Sequence, residues 1–157
     1  MERFQDKLGP PDVHLSGLQL WVHGYQYPHI ADSWDGNWLN TTAHCGASGA
    51  SVWASGAILD TVSLEQFCNG LEMIYERLEG TAELSTDEPY LSAHVGGGAH
   101  GRLTMTVRIT PDELTQEHEF RFDLDQTYLP PVITALRETL ARFPIRGDRR
   151  HAPPGPK

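Results

Sequence analysis

Shifting the chain by 65 positions lays its second half on its first. Leu59-Asp60 falls on Leu124-Asp125, and Leu64, Phe67, Cys68, Leu71, Tyr75 and Leu78 fall on Leu129, Val132, Ile133, Leu136, Leu140 and Phe143. Gly36 falls on Gly101, and the segment from Trp38 falls on the one from Leu103. The match is one of hydrophobic pattern rather than identity, so what repeats is a buried surface. A chain of 157 residues has room for one domain with a substantial core. The two halves are therefore expected to be two strand–strand–strand–helix units within one domain.

Polarity inside each half alternates with a period of two. Leu18, Leu20 and Val22 alternate with Gln19, Trp21 and His23; Leu103, Met105, Val107 and Ile109 with Thr104, Thr106 and Arg108; Phe120, Phe122 and Leu124 with Glu119, Arg121 and Asp123. That pattern predicts antiparallel strands that bury one side. Weaker strands are expected near 38–45, 51–59, 80–85 and 90–95, with turns at Gly46-Ala47-Ser48-Gly49 and Pro111-Asp112-Glu113.

Two helices complete the units. The first is expected to open at Val62-Ser63, with Ser63 as N-cap and Gln66 three residues on, and to stop at Gly80. The second opens at Leu129-Pro130-Pro131, where prolines cost little in the first turn, and Pro144 ends it. The predicted fold class is α+β: a single antiparallel sheet of about six to seven strands with both helices on one face. The domain is expected over residues 13–145, between a loose arm (1–12, with Gly9-Pro10-Pro11) and a disordered, basic, Pro-rich tail (146–157).

Charge is uneven along the chain. Residues 1–145 carry 8 basic and 20 acidic side chains, a net charge of −12, while the tail holds Arg146, Arg149, Arg150 and Lys157. Such a body repels phosphate backbones and attracts basic partners, so direct nucleic-acid binding is not expected. No apolar run approaches a membrane span, and the N-terminus lacks the apolar core of a signal peptide. A cytoplasmic protein with reduced thiols at Cys45 and Cys68 is expected.

Known chemistries find little support. Gly96-Gly97-Gly98-Ala99-His100-Gly101 satisfies the dinucleotide fingerprint, but a strand follows where the pyrophosphate requires a helix. It reads as a hairpin loop. Eight histidines occur without the spacing of a metal module, so no metal or cofactor is expected; His23 and His44 are the pair best placed to approach each other on adjacent strands. Ser48 and Ser51 lack the strand–Ser–helix context of a nucleophile elbow.

The stretch 25–39 stands apart. It gathers Tyr25, Tyr27, Trp34, Trp38, Asp32 and Asp35 around Pro28 and Gly36. Its carboxylates either cap local backbone, as in an Asp35-Gly36-Asn37 turn, or do acid–base work with His29 in a cleft. Rigid aromatic rings on a loop suit a protein interface, so Tyr27, Asp32, Trp34 and Asp35 are the candidate partner-binding residues. A hydrolytic or small-molecule site built on His29, Asp32 and Asp35 is the alternative.

Three segments resemble immunity proteins of the WapI type, partners of wall-associated, contact-dependent toxins. They are Gly24-Tyr25-Gln26-Tyr27-Pro28 with Asp32-Ser33-Trp34-Asp35-Gly36-Asn37-Trp38-Leu39; Leu71-Glu72-Met73-Ile74-Tyr75-Glu76-Arg77-Leu78-Glu79-Gly80; and Phe122-Asp123-Leu124-Asp125-Gln126-Thr127-Tyr128-Leu129. The resemblance implies a small cytosolic protein that binds and blocks a toxin's nuclease domain, with no catalysis of its own, and the chain's acidic charge suits a basic toxin nuclease domain as partner.

Overall fold

The computed structural model describes residues 7–147. In chain order these form strands Val13–Leu15 (β1), Leu18–Tyr25 (β2), Trp38–Ala47 (β3) and Ala50–Asp60 (β4), then helix Thr61–Arg77 (α1). Strands Thr81–Leu84 (β5), Leu91–Gly97 (β6), Arg102–Ile109 (β7) and Glu119–Asp125 (β8) follow, and helix Leu129–Arg142 (α2) closes the fold. The class is α+β as expected, but the single sheet is not found. There are two four-stranded antiparallel meanders, β1-β2-β3-β4 and β5-β6-β7-β8. The repeat is thus β-β-β-β-α. Alternation reports which face of a strand is buried and is silent on which strands pair, so one sheet and two look alike in the sequence.

The two units end alike. Each edge strand runs into its helix through an aspartate: Asp60 Oδ1 accepts Ser63 N (2.7 Å), and Asp125 Oδ1 accepts Thr127 N (2.8 Å) in the short turn before α2. The N-cap of α1 is therefore Asp60 rather than Ser63. Ser63 lies inside the first turn, where its hydroxyl donates to Ser85 O (2.9 Å) and ties the helix to the β5–β6 connection. At the other end Leu78 takes a left-handed φ of 56° and its N–H bonds Ile74 O, after which Gly80 lets the chain turn into β5. Tyr75 and Leu78, placed on the apolar stripe by periodicity, are about half exposed, so the buried stripe ends at Ile74.

One core serves both units. Leu20, Leu39 and Leu59 from the first sheet, Leu91, Met105 and Val107 from the second, and Phe67, Leu71 and Leu136 from the helices belong to a single buried cluster. Full burial of each such side chain is worth about 1.5–3 kcal/mol before chain entropy is subtracted. Gly70 sits in mid-helix for a steric reason: a Cβ there would lie 2.7 Å from Ala82 Cβ, so glycine lets α1 rest on β5. Between the helices, Cys68 Sγ faces Ile133 O at 3.9 Å, and Arg137 reaches both Glu72 and Asn69.

Both flanking stretches touch the domain. Gly9 O accepts Trp21 Nε1 (3.0 Å), Asp12 Oδ2 accepts Val22 N (2.7 Å), and Asp12 Oδ1 accepts Arg142 Nη2 (2.7 Å). Arg146, grouped by sequence with the basic tail, is bonded into the β2–β3 loop. Residues 1–6 of the arm and 148–157 of the tail lie outside the described residues.

Candidate protein interface

Residues 26–37 join β2 to β3 and are braced from within and from the chain's far end. Gln26 N donates to Trp38 O (2.8 Å) at the loop's base. Inside it, Asp32 Oδ1 accepts the backbone N–H groups of Trp34 (2.9 Å), Asp35 (2.8 Å) and Gly36 (3.3 Å). Those bonds, that from Asp35 foremost, hold the Asp32 carboxyl below its usual range. Gly36 admits no side chain, since a Cβ would lie 2.4 Å from Asp32 O.

The outer brace is Arg146. Its Nη1 donates to the carbonyls of Ile30 (2.9 Å), Pro28 (3.0 Å) and Tyr27 (3.3 Å), and its guanidinium lies 3.5 Å over the Tyr25 ring. The Tyr25 hydroxyl donates to Pro144 O. Asn37 is the buried hinge of this assembly. Its Oδ1 accepts Arg146 N (2.7 Å) and Thr61 Oγ1 (2.8 Å), and its Nδ2 donates to Arg146 O (3.1 Å). Loop, helix start and C-terminal segment are thereby one hydrogen-bonded unit.

What the braces leave outside is apolar and acidic. Trp34 is 59% exposed, Tyr27 43% and Ile30 37%. The two carboxylates have parted roles: Asp32 is engaged by the turn, whereas Asp35 is exposed and its side chain accepts no hydrogen bond among the described residues. His29 is exposed as well. The Asp35-Gly36-Asn37 turn expected from sequence is in fact built by Asp32, three residues earlier. Arg146, Asn37 and Asp60 were not legible as functional or organising residues, because each acts through a partner far away in the chain or on the next element.

The other constellations resolve into local structure. Gly98-Ala99-His100-Gly101 closes the β6–β7 hairpin, with Gly98 N donating to Arg102 O (2.7 Å) and positive φ at His100 and Gly101. On the outer face of the first sheet His44 Nδ1 lies 2.9 Å from Gln19 Oε1 and Nε2 lies 2.7 Å from Ser51 Oγ. The order Ser–His–Gln is reminiscent of a nucleophile relay, yet Ser51 sits within a strand opposite Gly46 instead of on a strand-to-helix elbow. These bonds cross-link β2, β3 and β4, as does the Trp21–Trp53 stack at 5.6 Å. His23 bonds Thr42 Oγ1 (2.8 Å), so His23 and His44 have separate partners. Among the described residues no group of three or more His, Cys, Asp or Glu is placed to hold a metal ion, and no helix is long and apolar enough to cross a membrane. Cys45 on β3 and Cys68 on α1 are buried free thiols, pushed up by burial to about 12 and about 11.

Fold and loop together define a class: a duplicated α+β protein in which one unit carries an exposed, braced aromatic–acidic loop that the other lacks. The chain belongs to the immunity protein WapI-like family, whose model matches residues 12–144. That match spans both units and ends two residues short of Arg146. No curated protein matches the chain.

Proposed function

We propose that this protein neutralises a toxin domain by occupying it, with loop 26–37 as the contact surface and no turnover of its own. One observation carries the reading. Equivalent hairpins of the two units are closed by twelve residues in one case (26–37) and by four in the other (98–101). The fold thus needs only the short version, and the long one presents Tyr27, Trp34 and Asp35 outward. Rigid aromatic rings lose little entropy on docking and are common interface anchors. Family membership supplies the kind of partner, a toxin.

The net charge of −9 suits a toxin whose own site is basic, as a nuclease site that must attract phosphate is. Opposite charge raises the association rate, and the apolar anchors then slow dissociation. A cytoplasmic location, where such a nuclease meets nucleic acid, goes with this reading. The test is co-expression with the nuclease domain of a wall-associated toxin. Growth should be restored by the wild type and lost again with Trp34→Ala; a wild type that neither rescues growth nor forms a complex overturns the proposal.

A further inference from the structure

Loop 26–37 is one of three longer connections that hydrogen bonds gather at a single end of the molecule, around the start of α1. Thr61 N donates to Asn37 O (3.0 Å), Ser63 Oγ to Ser85 O (2.9 Å) and Thr86 Oγ1 to Ile58 O (3.3 Å). Thr110 N in turn donates to Tyr90 O (3.0 Å), which places 110–118 beside 85–90. The tight turns lie at the opposite strand ends. Ser16-Gly17 and Ser48-Gly49 sit where Leu18 pairs Cys45 and Ala47 pairs Ala50, and 98–101 sits where Gly97 pairs Leu103, away from the Leu91–Ile109 end.

Loop 110–118 is the second unit's own elaboration. In the first unit the corresponding strand pair, β3 and β4, is closed by Ser48-Gly49 alone. Here the chain turns about Asp112, whose Oδ1 accepts Leu114 N (3.0 Å) and Oδ2 accepts Thr115 Oγ1 (2.7 Å), while its carbonyl accepts Gln116 N (3.0 Å). The turn leaves Leu114 89% exposed, more than any other large hydrophobic side chain among the described residues. Each unit has therefore lengthened a different hairpin, each around an aspartate-centred turn, and each presents an apolar side chain at the same end of the fold.

The surroundings specify a partner. Segments 26–37, 85–90 and 110–118 hold seven carboxylates and no Lys or Arg. Arg146, beside them, already serves three carbonyls and a ring. An exposed apolar side chain on a loop that carries Asp112, Glu113 and Glu117 is complementary to an apolar hollow lined by basic side chains. We infer that Leu114 and loop 110–118 form a second contact region, which together with Trp34 and Tyr27 grips the basic face of the toxin domain. This rests on the immunity reading above and extends it to the other unit.

The experiment measures binding of the purified full chain to that toxin domain for the wild type, Leu114→Asp, Trp34→Ala and, as a control at the far end of α1, Tyr75→Asp. Leu114→Asp should weaken binding about tenfold or more, in line with loss of an interface anchor, without moving the thermal midpoint. Tyr75→Asp should bind as the wild type does, and wild-type affinity should fall as salt rises. Wild-type affinity for Leu114→Asp alongside failure of Trp34→Ala overturns this inference and spares loop 26–37. Failure of Tyr75→Asp alone moves the interface to the other end and overturns both.

Discussion

Arg137 Nη2 lies 2.7 Å from Glu72 Oε2 while its Nε lies 3.0 Å from Glu72 Oε1, a two-point pair between residues 65 positions apart. That spacing is also the offset between the two units. Equivalent positions meet each other only beside an axis that exchanges the copies, and Cys68 with Ile133, again 65 apart, meet on the same line. The helices thus pack across an internal pseudo-twofold.

A charge swap tests that axis. Both side chains are about 40% exposed, so the pair contributes at most about 0.5–1 kcal/mol. Glu72→Arg or Arg137→Glu alone should each lower stability in urea unfolding by roughly that amount through like-charge contact. The double variant should recover most of it. Additive losses in the double variant would show that the two positions do not face each other.

Asp60 separates the value of a cap from the cost of a buried charge. Asp60→Ala should cost about 1 kcal/mol by removing the Ser63 N–H acceptor. Burial raises the Asp60 carboxyl above its ordinary 3.8, against the Ser63 hydrogen bonds that lower it. A folded-state value above the unfolded one means the native state holds its proton longer, so this contribution is present at low pH and declines as pH rises. Asp60→Asn keeps a side-chain oxygen for the cap and cannot ionise. Its stability relative to wild type should therefore improve from below pH 3.8 to neutral; a constant difference would show that burial does not set the titration.

Arg146 should govern loop order from outside the matched family segment. Arg146→Ala removes three carbonyl contacts and the Tyr25 ring contact, a loss of about 1–2 kcal/mol. Arg146→Lys keeps the charge without the planar fork and should recover only part. Hydrogen exchange of amides 29–36 would accelerate in both. Unchanged exchange in the alanine variant would show that the loop stands without its outer brace.

The two loop aspartates should behave oppositely. Asp32→Ala frees the amides of Trp34, Asp35 and Gly36, whose exchange should speed up. Asp35→Asn should leave both exchange and thermal midpoint as they are, since among the described residues none donates to that carboxylate. Equal effects of the two substitutions would contradict this division.

His44 makes the first sheet sensitive to acid. Desolvation lowers its protonation below the ordinary 6.5, and the groups facing it, Gln19, Ser51 and Trp53, carry no charge to offset that. The unfolded chain then takes up the proton more readily, so stability present above pH 6.5 is lost as pH falls through and below it. Wild type should lose more thermal stability than His44→Gln between neutral and mildly acidic pH. Parallel profiles would assign the acid sensitivity elsewhere.

Elements with a strong local period were legible in the sequence. Alternation at 18–22, 103–109 and 120–124 and the two helical stripes all correspond to elements found in the fold. The 65-residue offset identifies the repeat, yet draws its unit with three strands, because Val13–Leu15 is too short to carry a period and the strand near 80–85 is left without a counterpart in the first half. Ser63 reads as the cap in the sequence because Asp60 and Ser63, three apart, are both cap-forming types, and only backbone geometry tells which lies outside the helix. Tyr27, Trp34 and Asp35 were legible as exposed candidates from loop chemistry. Arg146 was not: its partners lie 109 or more positions away, and its neighbours in sequence read as a tail.

The buried sulfurs have a practical consequence. Cys45 and Cys68 are enclosed and remain protonated at neutral pH, so neither offers the thiolate that a maleimide attacks. In a Glu113→Cys protein the new, exposed side chain alone reacts, so a dye can be attached at that one position with no native cysteine removed.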